Sequence, residues 1–167
     1  MRIDAETPPL YAASVPVFRH YLERMSGMVA LADEAALMHR IADTFPARQQ
    51  FATAAGFTLR IACPLAGRDL PSLPEALGPR LAVARALLGG MRPDEFLGAE
   101  TLMITHVAGF SEITQTGADF LFRFGLPNFF FHLTMGYAAL RAAGVPLGKA
   151  DYDGFHAYPA DFRFPAP

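Results

Sequence analysis

A chain of 167 residues fits a single domain, since one core commonly serves about 100 to 200 residues. The formal charge of -2 and pI near 6.2, with Lys and Arg scattered singly, lack the electrostatic footprint of a nucleic-acid binder. The single cysteine, Cys63, excludes an internal disulfide and any multi-thiolate metal centre, and within "LRIACPLAG" it reads as a buried, inert thiol.

Hydrophobic residues make up 52% and charged residues 18%, more apolar surface than a monomer of this size readily hides, so a homodimer contact is expected. The opening "MRIDAETPPLYAAS" puts acidic residues and prolines where a signal peptide needs an apolar run. No stretch reaches about 18 uninterrupted apolar residues, so no membrane partner is expected. The expectation is a soluble, cytoplasmic protein.

Pro8 and Pro9 suit a helix start, and Val15, Phe18, Tyr21, Leu22, Met25, Met28 and Val29 recur at helical steps, predicting a first helix over about residues 10–31. A second is predicted from a cap at Asp43, with Pro46 in its first turn and Cys63-Pro64 and Gly67 closing it. Arg48 and Arg60 are its only charges between 44 and 66, which suits a helix inside a bundle or at a subunit contact.

After the proline-rich "AGRDLPSLPEALGP", Leu77, Leu81, Ala84, Leu87 and Leu88 make a third stripe, ended by Gly89-Gly90. "TLMITHVAGFSEITQTG" is rich in Thr and Ile with glycines where a hairpin turns, and predicts a small irregular β excursion. A fourth helix is predicted from Leu126-Pro127 to Gly144, before Pro146. The tail "DYDGFHAYPADFRFPAP" alternates aromatics with proline and predicts no regular helix, only an extended strap or a disordered end. The expected class is all-α: a helical bundle domain over 1–154 and a tail over 155–167.

Residues four apart share a helix face, so Asn128 and His132 point the same way. Gln50, Ala54, Phe57 and Ile61 form one stripe of the second helix, so a buried Gln50 needs a hydrogen-bond partner, which Asn128 or His132 can supply. A polar cluster that only fixes helix register is the competing reading. His20, His39, His106 and His156 read as surface or capping residues, and Glu23, Glu34, Glu75 and Glu112 as a solvated face. Neither a Gly-rich phosphate loop nor Gly-x-Ser-x-Gly is present. "VPLGKADYDG" reads as a turn with a solvated Lys149, or as a loop closing over a pocket through that lysine.

Two stretches carry a likeness. "DTFPARQQFATAAGFTLRIACPLAG" matches at Asp43, Phe45, Pro46, Gln50, Ala54, Phe57, Leu65, Ala66 and Gly67. "LPNFFFHLTMGYAALRAAGVPLGKADYDG" matches at Leu126, Pro127, Asn128, Phe129, Phe131, His132, Tyr137, Ala138, Leu140, Arg141, Gly144, Val145, Gly148, Lys149 and Asp151. With "YAASVPVF" they resemble, over most of residues 8–154, a bacterial family of domains of unknown function grouped with the DinB/YfiT-like four-helix proteins.

The resemblance implies a DinB-like four-helix bundle. In that wider group three histidines hold a metal at one end, one from the second helix and a His-x-x-x-His pair from the last, and some relatives transfer groups to or from thiols. The counterparts here are Gln50, Asn128 and His132, so one imidazole and two amides stand where three imidazoles would, and amides are poor ligands for zinc or nickel. No cofactor is therefore the expectation, with a divalent metal (Zn or Ni) at His132 the alternative.

Three functions follow. The first is a small-molecule binder with a bundle-mouth pocket walled by Phe57, Phe129 and Phe131 and polar groups from Gln50, Asn128 and His132. The second is a metal-dependent enzyme of the DinB-like kind, a thiol-group transferase or hydrolase. The third is a structural or regulatory homodimer without catalysis.

Overall fold

Twenty-two residues after the leading prolines form α1, Pro9–Ala30, with Pro9 at a first-turn position where a missing N–H costs nothing. Its buried face, Leu10, Ser14, Val15, Phe18, Leu22, Met25 and Met28, follows the apolar periodicity of the sequence. This computed structural model describes residues 7–159, 161 and 162. The expectations that rest on residues 1–6, 160 and 163–167 lie outside the described residues.

A one-turn helix, α2 (Glu34–Leu37), follows, capped by the Asp33 carboxylate, which accepts from the Ala36 N–H at 2.8 Å. So short an element leaves no periodic signal.

The next helix, α3, spans Ala47–Leu65 and starts later than the expected cap at Asp43. Pro46 disfavours a helical Phe45 before it, so Asp43 and Thr44 stay in a turn and Thr44 Oγ1 donates to the Ile41 carbonyl at 2.7 Å. Twelve residues of α3 are buried, among them Gln50, Phe51, Phe57, Ile61 and Cys63. α4 (Leu77–Gly89) buries Leu77, Leu81, Ala84 and Leu88 and packs on both α1 and α3.

The Thr- and Ile-rich segment is a regular antiparallel hairpin rather than an irregular excursion: β1 (Met103–Ala108) pairs with β2 (Ser111–Thr116), Ala108 opposite Ser111. Its two-residue turn puts Gly109 at φ +63°, the first central position of a turn that glycine takes without steric cost. Arg60 of α3 donates to the Val107 carbonyl and lies over the rings of Phe57 and Phe124 at 5.1 and 5.5 Å, holding the hairpin against the helices.

An α-helix does begin at Leu126, with Pro127 in its first turn, but the chain is already coiled before it. Thr116 caps a turn, α5 (Gly117–Asp119), which continues through a π-helical segment, Phe120–Gly125, into α6 (Leu126–Ala142). Pro127 cannot donate to the carbonyl four residues back, and the backbone just before it takes the wider π register. Asn128 Nδ2 donates to the neighbouring Phe124 carbonyl at 2.7 Å, adding a side-chain bond to this turn.

α7 (Lys149–Asp153) ends on Gly154 at φ +75°. Asp151, Tyr152 and Asp153 are thus helical, contrary to the reading of the whole stretch from Asp151 as non-helical. Residues 155–159 are irregular. Among the described residues the protein is mainly helical with one small two-stranded sheet, and no helix is long and apolar enough to cross a membrane.

α6 and the π segment before it approach α3 closely. A Cβ on Gly136 would lie 2.8 Å from the fully buried Phe51 ring, and one on Gly125 would lie 2.8 Å from Ile61 Cδ1. Gly136→Ala is expected to lower stability in urea denaturation, because overpacking costs about 1 to 3 kcal/mol and alanine's helix propensity returns only about 1 kcal/mol. Gly27 of α1 has nothing within 4 Å of its would-be Cβ, so Gly27→Ala is expected to raise stability by about 0.5 to 1 kcal/mol.

Candidate functional site

The close α3–α6 contact brings Gln50 and His132 together. Gln50 is 2% exposed, and its Oε1 lies 2.7 Å from His132 Nδ1. Its Nε2 donates to the Phe45 carbonyl at 3.4 Å, which orients the amide with Oε1 toward the ring. An amide oxygen only accepts, so His132 Nδ1 carries the proton and Nε2 holds the lone pair. His132 Nε2 makes no hydrogen bond to any described residue.

Aromatic rings enclose the imidazole. Phe57 and Phe45 lie near-parallel to it at centroid distances of 5.6 and 6.4 Å, and Phe131 meets it edge-on at 5.2 Å. Burial among these rings pushes the His132 pKa below the ordinary histidine value, favouring neutral imidazole. The histidine opens onto a pocket of about 200 Å³ lined by Asp43, Thr44, Phe45, Gln50, Phe131 and His132.

Two of the expected convergent groups stand elsewhere. Asn128 turns its Nδ2 back along its own helix to the Phe124 carbonyl, and His132 pairs with Gln50 rather than with it. Phe129 is fully buried, edge-on to Phe18 at 4.9 Å and to Phe130 at 5.1 Å, and belongs to the core rather than to the pocket wall. Phe57 is 8% exposed and backs the imidazole, while Phe131 lines the pocket. Phe45 and Asp43 were not proposed as pocket residues from the sequence. Their link to the site is the turn that Pro46 imposes, which periodicity does not report.

Of the remaining histidines, His20 and His106 are more engaged than surface or capping roles imply, while His156 is exposed. The His106 ring packs on Phe124 at 4.2 Å, and its Nε2 lies 2.9 Å from Gln115 Oε1. His20 Nε2 donates to the Asp153 carbonyl at 2.7 Å, and His156 Nδ1 pairs with the Asp153 carboxylate. His39 lines a separate groove beside Asp33 and Val145.

A three-ligand zinc or nickel centre does not fit these donors. Two of the three positions offer only a neutral amide oxygen, a poor ligand for these ions beside imidazole, and Gln50 Oε1 already accepts from the His132 N–H. Among the described residues no three His, Cys, Asp or Glu side chains are grouped to hold an ion.

Residues 10–153 match the family described as Domain of unknown function (DUF1993). The crystal structure of a DinB family member protein from Shewanella denitrificans is similar to the chain, with 27% identity, a TM-score of 0.78, and coverage of 90% of this chain and 95% of that one. No curated protein matches the chain.

A histidine whose folded pKa is depressed binds fewer protons than the unfolded chain, so its contribution to stability is full above the unfolded value and falls as pH drops through it. Nitrogen-15 NMR of the imidazole is expected to show the Nδ1–H tautomer and a midpoint below about 6.5. A midpoint above that would contradict the buried geometry. Gln50→Leu leaves the Nδ1–H without its acceptor and is expected to cost about 1 to 3 kcal/mol in urea denaturation.

Proposed function

The chain belongs to the DUF1993 family of domains of unknown function, and from that premise we propose that it is a cytoplasmic small-molecule binder whose ligand sits against His132. The four long helices α1, α3, α4 and α6 are read as a DinB-like four-helix bundle over residues 1–154, with 155–167 as an appended tail. The observation that carries the proposal is the Gln50–His132 bond, because it aims one imidazole nitrogen at an acceptor already inside the protein and leaves the other available.

A neutral imidazole with a free Nε2 accepts a hydrogen bond. The pocket is small and rimmed by Phe45 and Phe131, so it suits a compact, flat group bearing one O–H or N–H donor. Asp43 and Thr44 at the same rim can accept from a second polar group on the ligand. No reaction step is assigned to a metal, since the donors present do not form its site.

A second reading, a homodimer, is supported by large apolar side chains exposed on and beside the hairpin: Met103 60%, Val107 49%, Phe110 110% and Phe122 50%. Light scattering at micromolar concentration decides it, and a monomer there would contradict it.

The binder reading is tested by thermal shift with matched aromatic fragments, phenol and indole against toluene and anisole. The donor-bearing fragments are expected to stabilise the wild-type chain more than their donor-free counterparts, and His132→Ala is expected to abolish that difference. If the difference is absent from the wild type or survives in the variant, the proposal fails.

A further inference from the structure

A second pair of cavities lies at the end of α6 and shares no residue with the His132 pocket. One, of about 300 Å³, is walled by Thr134, Tyr137 and Tyr152. The other, of about 560 Å³, lies between the 146–149 turn and the tail residues Tyr158 and Phe162. Arg141 and Lys149 line both.

Neither cation has a carboxylate within 4 Å among the described residues, although both line the same two cavities. The neighbouring acid, Asp151, turns its Oδ2 to the Gly148 N–H at 2.7 Å. Arg141 is steadied by its own helix: Nη1 donates to the Tyr137 hydroxyl at 3.3 Å, and the guanidinium lies over the Tyr137 ring at 5.8 Å. That leaves most of its planar donor fork unused.

The walls are aromatic. Tyr137 and Tyr152 meet edge-on at 5.4 Å, and Tyr158 stacks on Phe162 at 4.9 Å with 12° between the planes. Two like charges lining one cleft repel unless a counter-charge lies between them, and an oxyanion supplies it while matching the guanidinium fork. Flat apolar walls favour a ring on the same molecule.

We propose that this cleft binds an organic anion, with a carboxylate or phosphate head between Arg141 and Lys149 and an aromatic body against Tyr158 and Phe162. The tail residues thereby form one wall of a site. The proposal stands on residues distinct from those of the His132 pocket, so either can fail without the other.

Calorimetric titration of the full chain with benzoate, phenyl phosphate and inorganic phosphate tests it. Benzoate or phenyl phosphate is expected to bind, and phenyl phosphate more tightly than inorganic phosphate. Arg141→Gln and Lys149→Gln are each expected to weaken binding about tenfold. Tyr158→Ala should weaken only the aromatic probes, and His132→Ala should change nothing. The proposal is overturned if no probe binds at millimolar concentration, if inorganic phosphate equals phenyl phosphate, or if the doubly substituted chain, shown folded by its melting curve, binds as the wild type does.

Discussion

Everything at the candidate site depends on how closely α3 and α6 approach. Gly125 and Gly136 supply the space: at each, a single methyl group would press on a buried side chain of α3. With the helices at that distance, a glutamine on one reaches an imidazole on the other at 2.7 Å. Wider spacing would leave Gln50 a buried amide without its imidazole partner, at a cost comparable to that of a lost core contact. Packing and polar pairing are therefore one constraint, since the contact that fills the core also satisfies its buried polar residue.

Much of this was legible in the sequence. The α1 stripe from Val15 to Val29 and the nearly all-apolar α3 follow from periodicity, and the Thr-rich run with glycines marks the β segment, though not its regularity. The resemblance anticipated both the family and the pairing of α3 with the last long helix. Local backbone chemistry was less visible. Pro46 delays α3 by acting on the residue before it, and Pro127 sits inside a helical run because a π turn precedes it, an arrangement that no periodicity marks.

The site shows the same division. A buried Gln50 in need of a partner follows from its place in an apolar stripe, and His132 was one of two candidates for it. Asn128 shares a helix face with His132, yet its amide is drawn to a carbonyl beside Pro127. Phe129 and Phe131 are two residues apart, and the helix turns one into the core and the other to the pocket rim. Spacing gives the face, but which aromatic meets solvent depends on the neighbouring helices.

Arg60 gives the hairpin a meaning beyond decoration. One guanidinium holds the Val107 carbonyl and covers Phe57 and Phe124, and Phe57 in turn backs the His132 ring. The strand pair and the imidazole are thus linked through Arg60, and also through His106, which packs on Phe124 beside Phe57. Whatever rests on the hairpin therefore sits one guanidinium and one ring away from His132.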